Sequence, residues 1–212
     1  MPTRPLPVVV FNAVGAMPTN RRPLGNRILA SAAKRGHLLI GVECDDLEPA
    51  AELDEDLWWW RHREAAHRDG GFLAGLRDRT NVSDVASIFG APSSPVNDPR
   101  YFLRGKVRVD DSWTLSVAAW HSPRWKEGGR PAAEEGIRRS QTIDADVLAG
   151  DFNIRADAMR ARYPSRVIRS TEVMHLAARK NRLRLGNVST FDLLEGTQSD
   201  DHPGLRVTVL PR

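Results

Sequence analysis

The sequence predicts a layered α/β fold with a mixed sheet, and three observations lead there. Short apolar runs rich in β-branched residues recur along the chain, as strands do. Segments with helical periodicity alternate with some of these runs, while other runs follow one another across tight turns, as antiparallel partners do. The chain has 212 residues, 41% of them hydrophobic and 27% charged, enough for a sizeable core. One domain over residues 1–212 is therefore expected, with no internal repeat and no low-complexity tract.

The elements follow in order. "LPVVVFNA" (6–13) is an apolar strand ending at Asn12, and "NRILASAAKRG" (26–36) an amphipathic helix stopped by Gly36. "HLLIGVE" (37–43) is a second apolar strand, ending at Glu43. The acidic stretch 45–68, "DDLEPAAELDEDLWWWRHREAAHR", is expected to be helical or irregular, and "GGFLAGLRDR" (70–79) strand-like. Turn signals crowd "GAPSSPVNDP" (90–99). "YFLRGKVRVD" (101–110) and "SWTLSVAAW" (112–120) then pair around an Asp-Asp-Ser turn, the second strand running into His121. "PAAEEGIRRSQ" (131–141) is a helix and "ADVLAG" (145–150) a strand delivering Asp151, with a helix-prone segment soon after. "TEVMHLAARKN" (171–181) has helical composition, "STFDLL" (189–194) suggests a short strand, and "GLRVTVL" (204–210) a final strand.

Composition narrows the function classes. The formal net charge is +4 and the pI about 9.7, which favours polyanionic partners over cationic ones. Basic clusters "RHR", "RDR", "RGKVR" and "RKNRLR" are spread along the chain, and a common rim around a site is where they would serve a polyanionic substrate. A single cysteine, Cys44, excludes an internal disulfide and any multi-cysteine zinc site, and suits a small buried hydrophobe. The apolar "LPVVVF" is far too short to span a membrane, and Pro2, Pro5 and Pro7 spoil a secretory h-region, so a cytoplasmic location is expected. "HREAAH" (62–67) spaces its histidines five apart rather than the four a helical zinc site needs, and fits a solvated helix face. Trp58, Trp59 and Trp60 fit core or interface packing better than base stacking.

Polar residues fall in a pattern that turns alone do not require. Asn12, Glu43, His121, Asp151 and Asn153 all sit at the C-terminal ends of expected strands, where α/β sheets present ligand sites. Glu43 offers a hard oxygen suited to Mg²⁺, which binds few carboxylates and keeps positions for phosphate and water. A histidine such as His202 can hydrogen-bond a phosphate oxygen or pass a proton, its tautomer fixed by a carboxylate partner.

The motifs "VVVFNA", "LLIGVE", "VAAWHSP", "LAGDFN" and "SDDHPGL", with "STFD" a weaker sixth, occur in an order that resembles the endonuclease/exonuclease/phosphatase superfamily of metal-dependent phosphoesterases. The resemblance spans residues 6–209 and implies an α+β, four-layer α/β/β/α sandwich of two packed mixed sheets flanked by helices. It also implies roles. Asp151 activates or positions water, and Asn153 holds water and a phosphoryl oxygen. His121 contacts phosphate, and Asn12 donates to a phosphate oxygen or orders the cluster. Asp192 partners His202. Glu43 and Asp201 hold Mg²⁺ or Mn²⁺, with Asp200 an alternative to Asp201 because the family's usual Ser-Asp-His order carries an extra acid here. The family places Gln before its metal-binding Glu, whereas Val42 stands there in this chain. The expected activity is a metal-dependent nuclease using in-line attack of water, with nucleic acid as partner and DNA placed ahead of RNA. Hydrolysis of a small phosphoester is the alternative, and a noncatalytic nucleic-acid-binding module is the alternative from another class.

Overall fold

Strands β1 (Leu6–Asn12) and β2 (Leu38–Val42) lie parallel, with Asn12 opposite Val42 in register. Parallel neighbours cannot be joined by a hairpin, so the chain between them must cross back over a sheet face. The computed structural model describes residues 4–12, 31–32, 34–42, 57–61, 73–77, 81–89, 101–122, 130–191 and 203–212, with the backbone alone at 57–61, 73–77, 81–89, 101–102 and 132. Within the first crossover residues 31–32 are helical, and the Arg35 N–H donates to the Ala32 carbonyl in a closing turn. Residues 26–30 and 33 of the helix expected there lie outside the described residues.

A second parallel pair repeats the arrangement. β7 (Trp113–His121) lies beside β8 (Val147–Asp151), with His121 opposite Asp151, and helix α1 (Arg130–Ser140) belongs to their crossover. Helix α1 packs onto β7 through Gly136, where any larger residue would drive its Cβ into the Trp120 ring. Glu135 accepts hydrogen bonds from both Arg138 and Arg139 on its exposed face, an arrangement that supports a helix at i,i+3 and i,i+4 spacing.

Each parallel pair sits at the centre of a mixed sheet. The first has the order β11 (Leu183–Phe191), β12 (Gly204–Pro211), β1, β2, β4 (Leu73–Arg77), β3 (Leu57–Arg61). The second has the order β5 (Asn81–Phe89), β6 (Tyr101–Asp110), β7, β8, β10 (Met174–Arg179), β9 (Arg166–Ser170). Among the described strands, every other pairing is antiparallel. Val8, Val10, Ile40 and Val207 of the first sheet share one core with Leu115, Val117, Leu148 and Leu176 of the second. Strands β2 and β8 are buried along their whole length, as expected for central strands covered on both faces. The result is an α+β sandwich of two mixed sheets with few helices, as the sequence resemblance implies. Helix α2 (Ala156–Arg162) follows β8 and packs against β9.

Three expectations need correction. Residues 171–181 do not form a helix: residues 174–179 are β10, hydrogen-bonded between β8 and β9, and β9 was not among the expected strands. Burial on all sides removes the alternation that marks a half-buried strand, and Met, Leu and Ala imitate helix composition. The acidic stretch 45–68 contains β3, whose Trp58, Trp59 and Trp60 lie opposite Leu76, Gly75 and Ala74 at the edge of the first sheet. β5 went unread because its register shifts between Ser83 and Ala86, breaking the period-two pattern at a sheet edge where bulges concentrate. The strand expected at 189–194 begins earlier, at Leu183, and its last described residue is Phe191. Cys44, the "HREAAH" segment and the turn-rich 90–99 lie outside the described residues.

Candidate active site

The C-terminal ends of the two parallel pairs meet. Asn12 closes β1 in one sheet and Asp151 closes β8 in the other, and the Asn12 Nδ2 donates to the Asp151 Oδ2 at 3.2 Å across 139 residues of sequence. Asn12 is 1% exposed, His121 3% and Asp151 0%. A buried carboxylate is costly unless its oxygens are hydrogen-bonded, and here both are. The second oxygen, Oδ1, accepts the backbone N–H of Asn153 at 2.9 Å. That bond makes a local Asx turn, and Asn153 adopts a left-handed φ of 50°, which Asn tolerates better than most residues.

The turn is fixed on its other sides too. The Asn153 Nδ2 donates to the Ser122 carbonyl at 2.8 Å, and the Ser122 N–H donates to the Asp151 carbonyl at 2.7 Å. These bonds tie the residue after β7 to Asp151 at the end of β8 and to Asn153 just beyond it. Phe152, between Asp151 and Asn153, points into the core, with its ring edge-on to Trp120 at 5.5 Å and 79° and to Tyr163 at 6.3 Å and 83°. Gly150 precedes them with φ 138°, and a Cβ there would collide with the Trp120 carbonyl oxygen. Only glycine lets β8 run this close to β7 just before the acid.

His175 supports the same turn from β10, opposite Gly150. Its Nε2 lies 2.7 Å from the Ile154 carbonyl and its Nδ1 2.6 Å from the Ser170 hydroxyl. The carbonyl can only accept, so Nε2 carries the hydrogen and Nδ1 accepts from Ser170. Burial holds the His175 pKa below the ordinary histidine value, against the opposing effects of the Ile154 hydrogen bond and the Asp151 charge, which the Arg160 charge partly counters. The imidazole is therefore neutral at neutral pH. Sequence reasoning missed His175 because it sat in a segment read as helix. A strand reading of "VMHLAA" would have set its polar side chain within an apolar run and flagged it.

Of the residues singled out from sequence, Asn12, His121, Asp151 and Asn153 are brought together at one end of the sandwich. Glu43, Asp192, Asp201, its alternative Asp200, and His202 lie outside the described residues. The chain adjoining them leads to the same end: Glu43 follows Val42, the partner of Asn12, and Asp192 follows Phe191, the partner of Gly204. His202 precedes β12, whose Leu205 pairs with Val10. Among the described residues, no three His, Cys, Asp or Glu side chains gather to hold a metal.

The basic clusters depart from expectation. Lys106 and Arg108 of "RGKVR" lie opposite Ser116 and Thr114, towards the start of β7, and "RKNRLR" begins where β10 ends beside the start of β8. Both are set towards the end of the sheet remote from Asp151. Arg61 of "RHR" lies opposite Leu73 at the site end of the first sheet, while Arg77 of "RDR" lies opposite Leu57 at the far end. A single basic rim around the site does not form from these clusters.

No protein-family model matches the sequence, and no curated protein matches it significantly. Solved structures do. The human Nocturnin catalytic domain with bound sulfate has a TM-score of 0.71 at 14% identity, covering 98% of this chain and 94% of that one. An endonuclease/exonuclease/phosphatase family protein from Bacteroides thetaiotaomicron has a TM-score of 0.72 at 12% identity, covering 99% and 98%. D. rerio TDP2 complexed with a single-strand DNA product has a TM-score of 0.64 at 16% identity, covering 97% and 99%. The chain has the fold of the endonuclease/exonuclease/phosphatase superfamily.

Proposed function

We propose that the protein is a divalent-metal-dependent phosphoesterase that hydrolyses nucleic-acid phosphodiester bonds with water as nucleophile. The observation that carries this reading is the hydrogen bond from Asn12 to Asp151, which joins the strand ends of both sheets around a buried carboxylate. Asp151 is oriented by two neutral donors, a suitable arrangement for positioning water or taking its proton. The Asn153 carboxamide, anchored through one N–H, is fixed for a hydrogen bond to phosphate or water. His121 lies level with Asp151 on the neighbouring strand. We assign phosphate contact to it, and proton transfer or phosphate binding to His202 with Asp192 as its carboxylate partner.

The donor chemistry fits Mg²⁺ or Mn²⁺: carboxylate and carboxamide oxygens at the described strand ends, no thiolate, and the carboxylates of Glu43 and Asp201 (or Asp200) as the proposed holders. Such an ion, when bound, supplies positive charge against the developing phosphorane. Net positive charge supports a polyanionic substrate, as does the likeness to TDP2 with its single-strand DNA product. The remote placement of two basic clusters favours the second reading, a small phosphoester, since the described basic residues do not line a track through the site.

The purified protein should cleave plasmid, single-stranded DNA or RNA with Mg²⁺ or Mn²⁺, lose that activity in EDTA and regain it when metal is restored. Turnover of small phosphoesters with inert polynucleotides would replace the nuclease reading with the second. Metal-independent binding of DNA without hydrolysis of any ester would assign the protein to the noncatalytic class.

A further inference from the structure

We propose that the end of the second sheet remote from Asp151 is a separate binding surface for the phosphate backbone of a nucleic acid. The proposal takes its ligand class from the nuclease reading, but it concerns different residues. Two adjoining cavities carry it. One, of about 850 Å³, is lined by Arg162, Arg166, Arg179 and Lys180 with Gln141 and Asn181. The other, of about 510 Å³, is lined by Arg104, Lys106 and Arg182 with Asp144 and Asp146. The ion pair of Arg179 with Asp144, at 2.7 Å, spans from one cavity to the other, so they form one continuous basic surface.

Two of these cations are committed to the fold. The Arg166 guanidinium donates to the carbonyls of Ala145, Asp146 and Ala177, and Arg182 pairs at 2.8 Å with the buried Asp146. Arg179 and Lys180 hold partners that a phosphate can replace. Arg179 pairs with an aspartate whose side chain is 85% exposed, an ion pair that a phosphate can replace at little cost. Lys180 gives one of its three ammonium hydrogens to the Pro164 carbonyl. Lys106 is exposed on β6, and Arg104 lies two residues before it on the same strand face. Burial above all, and then the neighbouring Arg179 charge, push the Arg166 pKa down to about 10, against the opposing effects of Tyr163, Asp146 and Asp144.

The spread of cations over two cavities suits a ligand with charges at intervals rather than one phosphate. Tyr163, the only aromatic residue lining either cavity among the described residues, is buried, so the described lining offers bases no exposed ring to stack on. Contact is therefore with the backbone and independent of sequence. From Asp146 to Asp151 is the length of β8, ~16 Å at the usual strand rise, so this surface holds chain well away from the scissile bond.

The test uses the full chain carrying Asp151→Asn, which prevents cleavage during binding, and labelled oligothymidylate long enough to span both regions. Adding Lys106→Gln, Arg179→Gln and Lys180→Gln should weaken binding at least ~10-fold at low salt and flatten the log–log salt slope by about 2, at ~0.7 per phosphate contact. Asp144→Asn, which removes a competing carboxylate, should tighten binding by roughly 1.5- to 5-fold. In the otherwise wild-type enzyme the triple substitution should leave turnover of a dinucleotide unchanged. Unchanged affinity and salt slope in the triple variant would overturn the inference, and wild-type cleavage of the oligonucleotide would then leave the nuclease reading standing. An oligonucleotide that does not bind at all also overturns the inference, and cleavage assays judge the nuclease reading separately.

Discussion

Asp151 is the carboxylate around which the strand ends gather, and its surroundings show how one turn motif also links the two sheets. The Asx turn it forms with Asn153 is what "GDFN" predicts on turn chemistry alone, yet the same carboxylate also receives Asn12 from the other sheet. His175 stands behind that turn in neutral form, and its depressed pKa makes a stability prediction. The folded chain resists protonating His175, whereas the unfolded chain takes up a proton near the ordinary value of 6.5. The contribution of the neutral imidazole is therefore complete above about pH 6.5 and is lost progressively as pH falls below it. His175→Gln should lower the melting temperature at neutral pH by removing a buried hydrogen-bond pair, and should also flatten the fall in melting temperature between about pH 7 and pH 5. Thermal denaturation across that range checks it, and parallel pH profiles for the two proteins would refute the assignment.

At the scale of elements, the short segment Gly150 to Ile154 does most of the positioning. Gly150 allows close approach to β7, Phe152 anchors the turn in the core, and the Ile154 carbonyl takes the hydrogen bond from His175. Gly150→Ala combines an unfavourable φ with a collision against backbone, and should cost about 3 kcal/mol or more in chemical denaturation. A loss below ~1 kcal/mol would show that β7 and β8 can separate without penalty. The same scale shows which elements were legible in the sequence. β1, β2, β7 and β8 were readable because apolar runs ended in single polar residues, and α1 because its charges and apolar positions keep helical spacing. The hairpin of β6 and β7 was readable from its turn, where Asp110 accepts the Ser112 N–H at 2.8 Å. β10 was not, since pairing on both edges makes a strand of residues whose own preference is helical. Asn12, His121, Asp151 and Asn153 lie together because strand ends in a layered fold gather at one edge. His175 and the carbonyl of Ser122 escaped, since their roles depend on which strands pair.

For the whole molecule, the placement of charge differs from the single rim that the sequence led us to expect. A net charge of +4 spread through four clusters suggested a single basic rim, but folding sends "RGKVR" and "RKNRLR" towards the far end of the second sheet. Among the described residues, the strand-end cluster holds buried Asn12, His121 and Asp151 at the junction of two sheets. Joining the sheets there makes the site depend on the sandwich as a whole, because neither sheet alone supplies both Asn12 and Asp151. The most direct measurement is therefore single-turnover hydrolysis of the preferred phosphodiester, with Mg²⁺ or Mn²⁺ present, by the wild type and by Asp151→Asn, with the folding of both confirmed by circular dichroism. The account predicts at least ~100-fold slower hydrolysis by a folded Asp151→Asn protein. Turnover near the wild-type rate in that folded variant would contradict it.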